Sequence, residues 1–158
     1  MRLTVALPDY DVRASLRLYD QAAPTVCSWI WDTLAKPFET KTSHACFDGH
    51  EVFCFLPGRG SPPPIENQSM RPAVGEVMFF GAEPRKFAAL NDNRLIGQTE
   101  ALFEMAFMYG QVDLRHFWEE GLHGSIIGQI DQNFEAFASA CLATLNAGAT
   151  AITISRGE

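Results

Sequence analysis

In the run Val12-Arg13-Ala14-Ser15-Leu16-Arg17-Leu18 every second residue is apolar and those between are polar or charged. Successive side chains leave a strand on opposite faces, so this period of two commits the segment to a strand with one face buried and one wet. Leu3-Thr4-Val5-Ala6-Leu7 precedes it across a turn region at Pro8 and Asp9, and the chain is therefore expected to open with a hairpin.

The period then changes. Asp20 offers an N-cap, Pro24 falls in a first helical turn, and Val26, Trp29, Ile30 and Leu34 recur at helical spacing, which predicts a helix over residues 21–34. Residues 40–56 carry two β-like runs around Asp48-Gly49, where a two-residue turn would set Phe47 opposite His50, Cys46 opposite Glu51 and His44 opposite Phe53. Residues 57–64 hold four prolines and two glycines, cannot continue a ladder, and are expected to form a surface loop. A strand is expected at residues 75–80, and irregular chain over residues 81–100 with a short strand near Phe87. Residues 102–109 fit a helix by propensity and a buried strand by length and aromatic content. A helical turn is expected around residues 114–120 and a strand at residues 125–130. Asp131 is expected to cap a helix whose stripe is Phe134, Phe137, Ala138, Cys141, Leu142 and Leu145, with Gly148 ending it and residues 150–154 forming a last strand.

A chain of 158 residues buries about two thirds of its unfolded surface around a single core, so one domain over residues 1–158 is expected. Its 47% hydrophobic and 20% charged content belongs to a globular protein, neither disordered nor fibrous. A net charge of −7, with 12 scattered Lys and Arg, argues against nucleic acid as a partner. The opening MRLTVALPDYDV has too short an apolar run for a signal peptide, and no segment nears the roughly 20 apolar residues of a membrane span. No membrane partner is expected. Cys27, Cys46, Cys54 and Cys141 lack CxxC spacing and sit among apolar neighbours, as buried free thiols do in a reducing, cytoplasmic compartment. The four histidines lack zinc spacing, and neither metal nor cofactor is expected.

Many strands, an early helix and another before the last strand suggest a barrel capped by helices, since closure removes exposed edges. Ala23-Pro24-Thr25, Gly49-His50-Glu51-Val52-Phe53-Cys54-Phe55, Glu66-Asn67-Gln68, Gly75-Glu76-Val77, Tyr109-Gly110 and Gly128-Gln129-Ile130 narrow the choice. In these short motifs, spread over almost the whole chain, it resembles a bacterial family of unknown function with a cyclophilin-like fold. The resemblance implies a mainly β, closed cyclophilin-like barrel with two capping helices, and a strand at residues 102–109. It is also similar, more distantly, to cyclophilins and to cyclophilin-like subunits of 5-oxoprolinase and allophanate hydrolase. The arginine and aromatic-glutamine set of prolyl isomerases has no residue-by-residue match here.

The hairpin register would place His44, Cys46, Glu51 and Phe53 on one sheet face, where a carboxylate beside an imidazole suits proton transfer or a polar ligand, or simply forms a pair on a wet strand. Glu66, Asn67 and Gln68 with nearby Arg71 supply an acceptor, amides and a guanidinium, fit either for a small carboxylate or for tying the loop to its own backbone. If residues 102–109 are a strand, Glu104 shares a face with Leu102, Ala106 and Met108 and is either a buried carboxylate fit for proton transfer or an exposed strand residue; on a helix it is an ordinary surface glutamate. Tyr109 and His123 complete the candidates, His123 either at a pocket rim or as a structural histidine, while Phe79, Phe80, Phe107, Trp31 and Trp118 read mostly as core. The expected ligand-binding set is thus His44, Glu51, Glu66, Asn67, Arg71, Glu104, Tyr109 and His123. No nucleophile–base constellation of known spacing occurs, so the residues assign no reaction. The leading expectation is a protein that binds a small amide, lactam or carboxylic acid. The alternatives are a prolyl isomerase or peptide-binding module, and a structural or interaction protein that assembles into a homo-oligomer. A homo-oligomer is expected.

Overall fold

The computed structural model describes residues 1–45, 49–82, 101–117 and 119–157. The expected strand near Phe87, and Cys46, Phe47, Asp48 and Trp118, lie outside these residues. The strands are β1 (Arg2–Leu7), β2 (Val12–Leu18), β3 (Phe38–Lys41), β4 (Ser43–His44), β5 (Gly49–Phe55), β6 (Gln68–Ser69), β7 (Glu76–Ala82), β8 (Leu102–Val112), β9 (Gly124–Gln132) and β10 (Ala151–Arg156). The helices are α1 (Pro24–Thr33) and α2 (Phe134–Ala147).

The opening hairpin forms as its alternation requires. Leu7 pairs with Val12, Leu3, Val5, Leu7, Ala14, Leu16 and Leu18 are all buried, and Asp11 closes the turn in the left-handed region at φ 52°. From there the antiparallel sheet runs β3-β10-β1-β2-β9-β7-β8-β5-β4, with β6 added on β9. Its two end strands, β3 and β4, are separated along the chain only by Thr42. The sheet therefore curls until both ends meet in one bent run, a nearly closed barrel that leaves little free edge. Thr42 is buried at the bend. Its N–H donates to the Thr150 carbonyl at 2.9 Å, and its hydroxyl accepts from the Thr150 N–H at 3.2 Å.

Both helices pack into the barrel core, α1 near one end of β8 and α2 further along it. Trp29 of α1 stacks on Phe103 with centroids 4.7 Å apart, and Phe137 of α2 meets Phe107 edge-on at 5.7 Å. β8 is the strand implied by the resemblance, flanked by β5 and β7. Its other face carries Ala106, Met108 and Val112 in a second apolar cluster with Met78 and Leu114, against which Met70, Phe117 and Leu122 pack. Buried on both faces, β8 cannot show alternation.

Three local expectations are corrected. Ala23, not Asp20, holds the N-cap position of α1, because Pro24 fits the first helical position; Asp20 instead lies 3.4 Å from the N-terminal amine. Asp131 belongs to β9, which runs on to Gln132, and grips Arg2 through two 2.8 Å hydrogen bonds, so Asn133 at φ 59° makes the turn into α2. α2 buries Phe137, Ala140, Cys141 and Thr144, leaving Leu142 and Leu145 about half exposed at 49% and 52%. Packing against β2, β5 and β8 takes the helix side that carries small residues between Phe137 and Cys141.

Cys27, Cys54 and Cys141 are buried free thiols as expected. Burial pushes Cys27 up to about 11 and Cys141 up to about 12, and Cys54 is likewise pushed up to about 12 by burial with help from Glu104, so all three stay protonated and unreactive at neutral pH. Among the described residues no helix is long and apolar enough to cross a membrane.

Candidate functional site

The register of β4 on β5 differs by one residue from that of a two-residue turn. Ser43 pairs with Phe53 and His44 with Val52, and the bond from Ala45 N–H to the Glu51 carbonyl at 3.0 Å follows the same register. A one-residue slip moves every side chain to the other face. His44 therefore shares the face of Val52, which points into the barrel core, whereas Glu51 lies opposite Met108 on the outer face. The expected His44–Glu51 pairing is corrected accordingly.

His44 meets Tyr109 instead. The Tyr109 hydroxyl lies 2.6 Å from His44 Nε2, and His44 Nδ1 lies 2.6 Å from the Ala45 carbonyl. A carbonyl only accepts, so Nδ1 carries the proton, and Nε2 is left to accept from the phenol. Tyr109 is 7% exposed; burial raises its pKa and Cys141 adds to the rise, so the phenol keeps its proton and donates. A second imidazole, that of His50, stands edge-on to Tyr109 with centroids 5.3 Å apart.

A bulge makes this grouping. The β5–β8 register passes from Gly49 opposite Val112 to Glu51 opposite Met108, so Tyr109, Gly110 and Gln111 face His50 alone. Two glycines permit it. Gly49 has φ 113°, and a β-carbon at Gly110 would lie 2.6 Å from the His50 side chain. Bulges re-aim side chains and recur beside active sites. Just beyond, residues 71–74 and 111–113 line an open cleft of about 670 Å³ that contains Arg71.

The remaining expected residues do other things. Glu66 accepts from the N–H groups of Thr25 and Val26 at 2.9 and 3.0 Å, capping α1 from a distant loop. Burial works to raise its pKa, but these bonds and the Thr25 hydroxyl outweigh it and hold the carboxyl low. Glu66→Ala is accordingly expected to cost roughly 1 kcal/mol in a urea denaturation, as other lost helix caps do; an unchanged midpoint would show that α1 needs no cap. Asn67, at φ 46°, donates to the Ile126 carbonyl at 2.9 Å and ties the loop to β9. His123 accepts at Nδ1 from Gln68 and donates from Nε2 to the Glu120 carbonyl at 3.2 Å. Glu104 is half-buried on the outer face between Phe55 and Phe80. The structure thus brings together His44 and Tyr109, sets Arg71 in a separate cleft that shares Gln111 of the bulge, and leaves the other five elsewhere. Among the described residues no three His, Cys, Asp or Glu side chains form a metal-holding group.

Residues 5–156 match the family model DUF3830, described as a protein of unknown function. The chain belongs to the DUF3830 family. No curated protein matches this DUF3830 chain in sequence. Solved structures share its fold, these two among them. One is McbB in complex with tryptophan, with TM-score 0.67 and 15% identity over 99% of this chain and 45% of McbB. The other is the solution structure of the hypothetical protein AF2241 from Archaeoglobus fulgidus, with TM-score 0.56 and 15% identity over 99% of this chain and 95% of that one. The DUF3830 chain spans less than half the length of McbB, and what it shares with both neighbours is the barrel.

His50, Gly110 and Gln111 were absent from the expected site. The signal was present in Gly110, since an isolated glycine inside a strand marks a bulge or a close approach.

Proposed function

We propose that this DUF3830 protein binds a small polar metabolite, an amide, lactam or carboxylic acid, at the β8 bulge, with Tyr109 and His44 as the hydrogen-bonding pair. The carrying observation is the 2.6 Å contact between the Tyr109 hydroxyl and His44 Nε2. Broken open, that contact presents one donor and one acceptor side by side. An amide or lactam offers the complementary arrangement, its carbonyl taking the phenolic proton and its N–H going to the imidazole. McbB, a fold neighbour, holds tryptophan, which supports a small organic ligand for a protein built on this barrel. On the same reading the barrel is a cyclophilin-like one given to small molecules in the cytoplasm.

A thermal-shift screen against amides, lactams, ureas and carboxylic acids tests this. At least one class should stabilise the protein saturably, by about 2.7 kcal/mol at a hundredfold excess over Kd. Tyr109→Phe should weaken that ligand roughly tenfold, the worth of one hydrogen bond. No shift from any class, or equal shifts in the variant, would refute the proposal.

A further inference from the structure

We infer that the cleft beside the bulge is a carboxylate subsite in which Arg71 takes the carboxylate, an inference that rests on the small-metabolite function and narrows its ligand. The two walls are some forty residues apart in sequence and are joined by the hydrogen bond from Leu114 N–H to the Met70 carbonyl at 2.9 Å. A volume of about 670 Å³ falls in the range of small-ligand sites, and Pro72, Ala73, Val74 and Val112 give it apolar surface.

Charge decides what the cleft accepts. Asp113 is the acid in its lining, and Arg115 already grips it in a fork, Nε to Oδ1 at 2.9 Å and Nη2 to Oδ2 at 2.6 Å. Those bonds hold the Asp113 carboxyl well below the usual range. Arg71 reaches Asp113 only through Nε at 3.8 Å, beyond hydrogen-bond distance, and its side chain is 66% exposed. Among the described residues the Arg71 guanidinium makes no hydrogen bond. One carboxylate thus stands before two guanidiniums, with the His116 imidazole a further 4.0 Å away, and the Arg71 fork matches a planar ligand carboxylate.

A phosphate fits less well. Phosphate sites draw on clustered backbone N–H groups, and among the described residues only the Val74 N–H of residues 71–74 is left without a partner, so no cluster remains. Arg71 N–H donates to Ser69 Oγ at 3.0 Å, Ala73 N–H to Glu76 Oε2 at 2.7 Å, and Pro72 has none. Asp113 and Glu76 also repel a second negative charge. Gln111 lines the cleft next to the bulge and supplies an amide for a polar group between carboxylate and Tyr109.

The test is calorimetric titration with acid and amide pairs, acetate with acetamide, N-acetylglycine with N-acetylglycinamide, and 5-oxoproline with its carboxamide, and with inorganic phosphate. An acid should bind on the order of tenfold tighter than its amide, Arg71→Gln should erase that preference, and Arg71→Lys should restore only part of it. Equal binding of acid and amide, an unaffected Arg71→Gln protein, or phosphate binding as tight as the acid would overturn the subsite. If the amides still bind and Tyr109→Phe weakens them, the small-metabolite function stands without it. If neither acid nor amide binds, both fall.

Discussion

Gly128→Ala is expected to cost about 3 kcal/mol or more, a large share of the roughly 5–15 kcal/mol that holds a domain folded. Gly128 lies in β9, between Leu18 of β2 and Val77 of β7. A β-carbon there would stand 2.3 Å from the Arg17 carbonyl oxygen and 3.1 Å from its carbon, with Leu16 Cδ1 at 2.9 Å. The leucine tip can rotate away. The paired backbone yields only by parting β2 from β9, and that ladder already shifts register between Ser15 and Leu16. Urea denaturation followed by circular dichroism reads the effect, and a wild-type midpoint would mean that the barrel wall gives cheaply.

Phe103→Ala is the second large effect, with an expected loss of roughly 3–5 kcal/mol, the usual range for deleting a buried phenylalanine. Phe103 is 1% exposed, and its ring fills the space that a β-carbon on Gly58 would enter at 2.2 Å. It also carries the stacked contact with Trp29, so its removal takes away the seat of α1 along with the apolar area. Tryptophan fluorescence should report both changes, an altered native spectrum and an earlier denaturation midpoint. A loss below about 1 kcal/mol would show that α1 and the proline loop collapse into the vacated volume.

Much of the architecture was legible locally. The β1–β2 hairpin was readable because its strands keep one wet face, and Gly148 because α2 ends there at φ 86°. The proline loop was readable because residues without an N–H cannot enter a ladder. β8 was less so. With both faces buried it loses the polar beat that distinguishes strand from helix, and only the family resemblance settled it.

The candidate site was legible in its residues and not in its geometry. His44, Tyr109 and Arg71 were singled out by chemistry, but the partner of His44 depends on which face of β5 enters the core. Glu51 and Val52 are both buried, so the run Glu51-Val52-Phe53-Cys54-Phe55 carries no wet face to fix its register. Glu66 shows the reverse case, a suitable ligand-binding acid whose bonds go to the first turn of a helix forty residues away.

By itself the sequence determined a mainly β chain with two helices, its opening hairpin, its buried thiols and its stock of polar groups, because period, proline and glycine act within a few residues. Only the tertiary structure decided that β3 and β4 close the barrel through Thr42, that the bulge opposite His50 turns Tyr109 toward His44, and that the loop at Arg71 is joined to the end of β8 by the bond from Leu114 to Met70. Those contacts join segments far apart in the chain, and their register is set by which faces the whole core buries.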